Sequence, residues 1–226
     1  MVKLSGQAML ALCFLTLPKS IDAQTPFERQ VLETLNQART NPAAYAETLK
    51  HYRTFFHAKI VSLPGNDTDI ETEEGVAVVD ETIAFLAHQA PLAPVETAPL
   101  LEGSSADHVR DQGASGETGH EGSDGSSPAQ RVRRRGGGSY VAEVIAYGPV
   151  DAVDAVRQLI IDDGVEDRGH RQILFSPELR FAGVACGKHP EFTMMCVIDL
   201  SVTADAREGE GGTRVAHVDS PQHAAN

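Results

Sequence analysis

Near the C-terminal end of the chain, Phe192, Met194, Cys196, Ile198 and Leu200 alternate with Thr193, Met195, Val197, Asp199 and Ser201. A period of two belongs to a strand, whose successive side chains point to opposite faces, so this segment is committed to a sheet with one face expected in the core. Phe181–Cys186 reads as the preceding strand, and Gly187-Lys188-His189-Pro190-Glu191 supplies the turn of a hairpin. Cys186 and Cys196 flank that turn. Paired, they enclose nine residues and contribute about 2 to 3 kcal/mol on a chain-entropy account; two free thiols are the other reading.

The first half of the chain carries a helical period instead. Phe27, Val31, Leu35 and Ala38 recur at helix spacing from Thr25, and Tyr45, Leu49, Tyr52 and Phe56 do so after Asn41-Pro42, where the proline disfavours helix at the residue before it and marks a break. Residues 57–78 lose periodicity around Pro64-Gly65-Asn66-Asp67 and read as a surface loop. A third helix around Val79–Ala90 is closed by Pro91 and Pro94, and a fourth spans Ala98–Gln112. After the Gly/Ser-rich stretch from Gly113, Ser127-Pro128 opens a short helix whose Arg131, Arg133, Arg134 and Arg135 sit at its negative end before Gly136. That grammar accounts for the basic run structurally; its rival is an anion-binding patch. Val141–Tyr147 reads as a strand and Val153–Ile160 as a helix.

Lys3 followed by the apolar run Ala8–Leu17, then Pro18 and Ala23, has the grammar of a secretory signal peptide over residues 1–23. The run is about ten residues, half of the ~20 a membrane-crossing helix needs, so no transmembrane segment is expected. Export leaves Cys186 and Cys196 where a disulfide persists, and the destination is extracellular or periplasmic. The formal charge of −13 sets the global field against nucleic acid, and 5% aromatics with no Trp leave little for a stacking platform. Beyond Thr203, Asp205-Ala206-Arg207-Glu208-Gly209-Glu210-Gly211-Gly212 reads as a flexible tail over 204–226.

Signatures of familiar chemistry are missing: no Cys-x-x-Cys, no His-Glu-x-x-His, no Gly-x-Ser-x-Gly and no phosphate loop. Asp162, Asp163, Glu166 and Asp167 cluster without a calcium-loop pattern and read as an acidic turn. What remains is a scatter of histidines and acids: His120 in Gly119-His120-Glu121-Gly122, Glu143 in a strand, and Asp162 leading to Arg168-Gly169-His170-Arg171.

Those segments, in that order, together with Gly183-Val184-Ala185-Cys186-Gly187 and Met195-Cys196-Val197-Ile198-Asp199, resemble the bacterial SCP-like branch of the CAP superfamily, which includes cysteine-rich secretory proteins, antigen 5 and pathogenesis-related proteins. The resemblance covers roughly Phe27–Thr203 and places a CAP domain over 24–203. It implies an α+β fold, a three-layer α-β-α sandwich with a mostly antiparallel central sheet. It also implies a cleft tetrad of His120, Glu143, Asp162 and His170, the candidate catalytic set, with His120 and His170 as ligands for Zn²⁺ or another divalent cation. Three departures stand out: Glu143 lies between Ala142 and Val144 rather than in Gly-Glu-Asn, Asp162 is one methylene shorter than the usual Glu, and Arg171 replaces a frequent aromatic. A catalytic zinc holds three protein ligands and an open position, so Glu143 or Asp162 would have to ligate directly. The resemblance therefore carries three readings: a secreted module binding a small lipid, sterol or peptide, a metal-dependent hydrolase or protease, and a structural interaction protein with a vestigial cleft. The first is the expectation.

Overall fold

The computed structural model describes residues 24–65 and 68–209. The signal peptide expected over 1–23 and the tail residues 210–226 lie outside the described residues. Helix α1 (Pro26–Thr40) opens with a capping box, Thr25 and Glu28 each accepting the other's backbone N–H, and Pro26 sits where its missing N–H costs nothing. Asn41 closes α1 and starts α2 (Pro42–Arg53), its side-chain oxygen accepting from the Ala44 N–H at 3.2 Å. The break read at Asn41-Pro42 is thus a cap shared by two helices.

The stretch read as loop holds a small antiparallel sheet of two-residue strands, β1 (Phe56–His57), β2 (Ile60–Val61) and β3 (Ile70–Glu71). Strands that short carry no periodicity, which is why the sequence reads through them. Helix α3 (Val76–His88) follows, then β4 (Glu96–Thr97), α4 (Pro99–Ser115), α5 (Pro128–Arg134), β5 (Ala142–Tyr147), α6 (Ala152–Ile161), α7 (Gly169–Leu174), β6 (Phe181–His189) and β7 (Thr193–Ser201).

The main sheet runs β4-β6-β7-β5; β4 is parallel to β6 and the other two pairings are antiparallel. One face (Val144, Ala146, Ala182, Val184, Cys196, Ile198, Leu200) joins the main core with α1 and α6, while α2 and α3 extend that layer. The other face lies under α4 and α5, with Met195, Val197 and Ile145 against Val109 and Tyr147. The architecture is the α+β three-layer sandwich. It also corrects the expectation of a single core face: β7 is buried on both sides from Met195 to Ser201, because helices cover both sides of a central strand.

The sheet meets α4 at close range. A Cβ on Gly183 would stand 2.0 Å from the Glu102 backbone N, so only glycine lets the helix settle there. Cys186 and Cys196 are directly opposed in the β6–β7 register and form a disulfide.

The chain does not leave the domain at 204. Ala206 is fully buried against Ala98, Leu101 and Val132, while the carbonyls of Asp205 and Ala206 accept from the Gly138 and Tyr140 N–H groups at 2.8 and 2.9 Å. Composition hid this strap, because one alanine and backbone hydrogen bonds suffice to dock it.

Candidate functional site

Four elements converge on the inner end of β5. From α4, His108 and Gln112 reach the Gly/Ser-rich loop: His108 Nε2 lies 2.9 Å, and Gln112 Nε2 2.7 Å, from the Gly119 carbonyl. The Tyr147 hydroxyl accepts the Gly119 N–H at 2.9 Å and donates to Gln112 Oε1 at 2.7 Å. Burial raises the Tyr147 hydroxyl to about 12, keeping it neutral and able to donate. This lattice fixes the residue before His120. From α5, Arg131 donates to the His120 carbonyl at 3.0 Å, to Ser126 O at 2.8 Å and to Glu143 Oε2 at 2.6 Å. Arg131 is therefore no surface cation. It is 3% exposed and clamps the loop to the sheet.

His120 Nδ1 lies 3.0 Å from Glu143 Oε1. Burial alone would raise the Glu143 carboxyl, but the His120 hydrogen bond and the Arg131 charge prevail and hold it below the ordinary value, so it is ionised. A carboxylate only accepts, so Nδ1 carries the hydrogen and the Nε2 of the neutral ring keeps its lone pair. Nε2 has no hydrogen-bond partner among the described residues, and the side chain is 26% exposed.

A second pair stands at the α6–α7 junction. Asp162 ends α6 in the left-handed region (φ 59°), which aspartate tolerates better than most residues. That turn aims its short side chain into the first turn of α7: Oδ2 accepts from the His170 and Arg171 N–H groups at 2.9 and 3.2 Å, and Oδ1 lies 2.6 Å from His170 Nδ1. The missing methylene is made up by backbone geometry. His170 Nε2 is again unpartnered among the described residues, on a side chain 20% exposed. Arg171 turns inward, where a bidentate pair with Glu81 and the Ile160 and Ile161 carbonyls bind α7 to α3 and α6. The acidic turn is likewise structural, since Asp163 accepts from the Glu73 and Glu74 N–H groups.

The four anticipated residues thus form two histidine–carboxylate pairs. Among the described residues no three His, Cys, Asp or Glu side chains form a metal-binding group. Each pair leaves one imidazole Nε2 with a carboxylate behind it, and neither supplies the three protein ligands of a catalytic zinc. A cleft of about 190 Å³ beside Arg131 is lined by Asp107, Asp111, Asp124, Ser126 and Arg134. Every residue that lines it is polar or charged.

Sequence reasoning missed His108, Arg131 and Asp199 as parts of this site. Burial lowers the His108 ring below its ordinary value, leaving it neutral 3.9 Å from Glu143. The signal was present: Ser104, His108 and Gln112 are polar at four-residue spacing on one helix side, and Asp199 is an acid inside an otherwise buried strand.

A sheet with helices on both faces, closed by a disulfide hairpin and carrying two histidine–acid pairs, defines a domain of the cysteine-rich secretory type. The model of that family, CAP, matches residues 32–200, and the chain belongs to it. Among solved structures it is similar to an outer surface protein from Borrelia burgdorferi, with 17% identity and a TM-score of 0.41 over 49% of this chain and 78% of that one. It is also similar to an extracellular protein containing an SCP domain from Bacillus anthracis str. Ames, with 17% identity and a TM-score of 0.42 over 56% of this chain and 39% of that one. The chain thus spans well under half of the second protein. No curated protein matches the sequence. No helix among the described residues is long and apolar enough to cross a membrane.

Proposed function

We propose that this CAP domain is an exported binding module that takes a divalent cation on the Nε2 atoms of His120 and His170 and a polar, peptide-like ligand in the cleft beside Arg131. The observation that carries this reading is where the carboxylate oxygens are spent. Glu143 accepts from His120 and Arg131, and Asp162 from a ring and two backbone amides. Each acid thus orients an imidazole from behind the position a cation would take. A bound cation would supply Lewis acidity to a ligand carbonyl or carboxylate. The protein's part is to hold both rings in the Nδ1–H form with Nε2 outward.

Two acids each turned to a histidine favour binding over hydrolysis, and the charged lining of the cleft beside Arg131 favours a polar ligand over a lipid or sterol. The apolar run at Ala8–Leu17 and the Cys186–Cys196 bridge support export. Calorimetric Zn²⁺ titration of Glu143→Gln and Asp162→Asn tests the assignment. Each should keep one-to-one binding with affinity reduced about 10- to 100-fold, as for groups acting behind the ligands. Loss of binding in either single variant would make that carboxylate a direct ligand and restore the hydrolase reading.

A further inference from the structure

We propose that Asp199 is a neutral carboxylic acid at neutral pH whose O–H donates to Glu143, and that this buried acid–carboxylate pair keeps Glu143 aimed at His120.

Asp199 and Glu143 are direct partners in the antiparallel β5–β7 register, so both side chains leave the sheet on the α4 side. Asp199 is fully buried, and neither of its carboxyl oxygens has a partner among the described residues. The surroundings leave no second positive charge for it. Ser104 and Ser105 come from α4, Arg131 from α5 and Glu143 from β5; β6 offers only Gly183 opposite Asp199, and His108 and His120 stand at Glu143. Ser105 is spent, its hydroxyl accepting the Asp199 N–H and donating to Gly183 O. His108 is neutral. Arg131 is the one permanent cation, and its amino groups serve Glu143, Ser126 and His120.

Two buried carboxyls therefore share one guanidinium. Two like charges held side by side out of water cannot both persist, and one proton removes the conflict. Glu143 is the better anion, because Arg131 and His120 both donate to it. Asp199 takes the proton, and burial together with the Glu143 charge pushes its carboxyl well above the ordinary range. Each Glu143 oxygen accepts one hydrogen bond and has a second lone pair, enough for the Asp199 O–H. The other Asp199 oxygen is left for the neighbouring Ser104 hydroxyl, which has no other partner.

Among the described residues, seven buried side-chain polar atoms lack partners, and five of them are on Ser104, His108, Arg131 and Asp199. That concentration marks a built interior polar site rather than scattered imperfection. The inference stands apart from cation binding by the two histidines.

Infrared spectroscopy of the folded chain tests it. At neutral pH the wild type should show the carbonyl band of a protonated carboxyl, shifting in D₂O, and Asp199→Asn should lack that band. The Asn variant supplies an N–H donor of the same shape. It should fold, keep the His120 ring in its Nδ1–H form by ¹⁵N chemical shift, and gain Tm over the wild type as pH rises. The sign follows from linkage: a carboxyl raised in the folded state binds its proton more tightly there, so stability is full below the unfolded value and drains as pH climbs. Asp199→Ala removes the donor and should disturb the His120 tautomer. A wild type without the band, a band that survives in Asp199→Asn, or an Asn variant that cannot fold each overturns the proposal.

Discussion

Remove the Arg131 guanidinium and Glu143 keeps neutral donors but no cation against its buried charge. Arg131→Met is accordingly expected to cost about 3 to 5 kcal/mol in urea unfolding, the range for breaking a buried ion pair from one side. Arg131→Lys should recover only part of that loss, because an ammonium cannot reach Glu143, Ser126 and His120 together as the planar fork does. His108 makes a prediction of opposite pH sense to Asp199. Its folded value is depressed by burial, so its contribution is present above the unfolded value near pH ~6.5 and is lost as pH falls below it, at up to about 1.4 kcal/mol per pH unit. A His108→Gln variant should show a shallower acid slope in thermal melts as pH falls below about 6.5. At this scale the sequence reveals which residues are chemical and conceals how they are paired. His120 and Glu143 were legible through a motif, whereas Arg131 looked like a helix end. Only the fold shows that the α5 terminus points into the sheet.

Element boundaries were legible wherever chemistry marks them. Thr25, Asn41, Ser127 and Pro128 are capping signals, and each stands at the helix start the structure shows. What escaped is whatever is too short to repeat: the two-residue strands β1 to β4 and the six-residue α7. Burial of both faces of β7 escaped for another reason, since alternation of Thr193 and Ser201 with apolar residues mimics a half-exposed strand. The C-terminal strap gives the test at this scale. A chain ending at Thr203 loses the backbone bonds at Gly138 and Tyr140 and should be about 2 kcal/mol less stable than one ending at Gly209. In thermal melts that is roughly 4 to 8 °C. Equal melting temperatures would show that residues 204–209 do not hold the α5–β5 connection.

On the scale of the molecule, the site exists because the sandwich stacks distant segments. His108 and His120 arrive from the α4 layer, Glu143 and Asp199 from the sheet, and Asp162 and His170 from the junction on the far side of β5. No local spacing encodes the His120–Glu143 or the Asp162–His170 pairing, and the register of β5 with β7 adds Asp199, which no motif carries. The most direct test of the binding account is Zn²⁺ titration into metal-free chain starting at Gln24, beside a His120→Ala/His170→Ala variant shown to be folded by circular dichroism. The account predicts one-to-one binding to the first and none to the second. Equal heats in both proteins would contradict it.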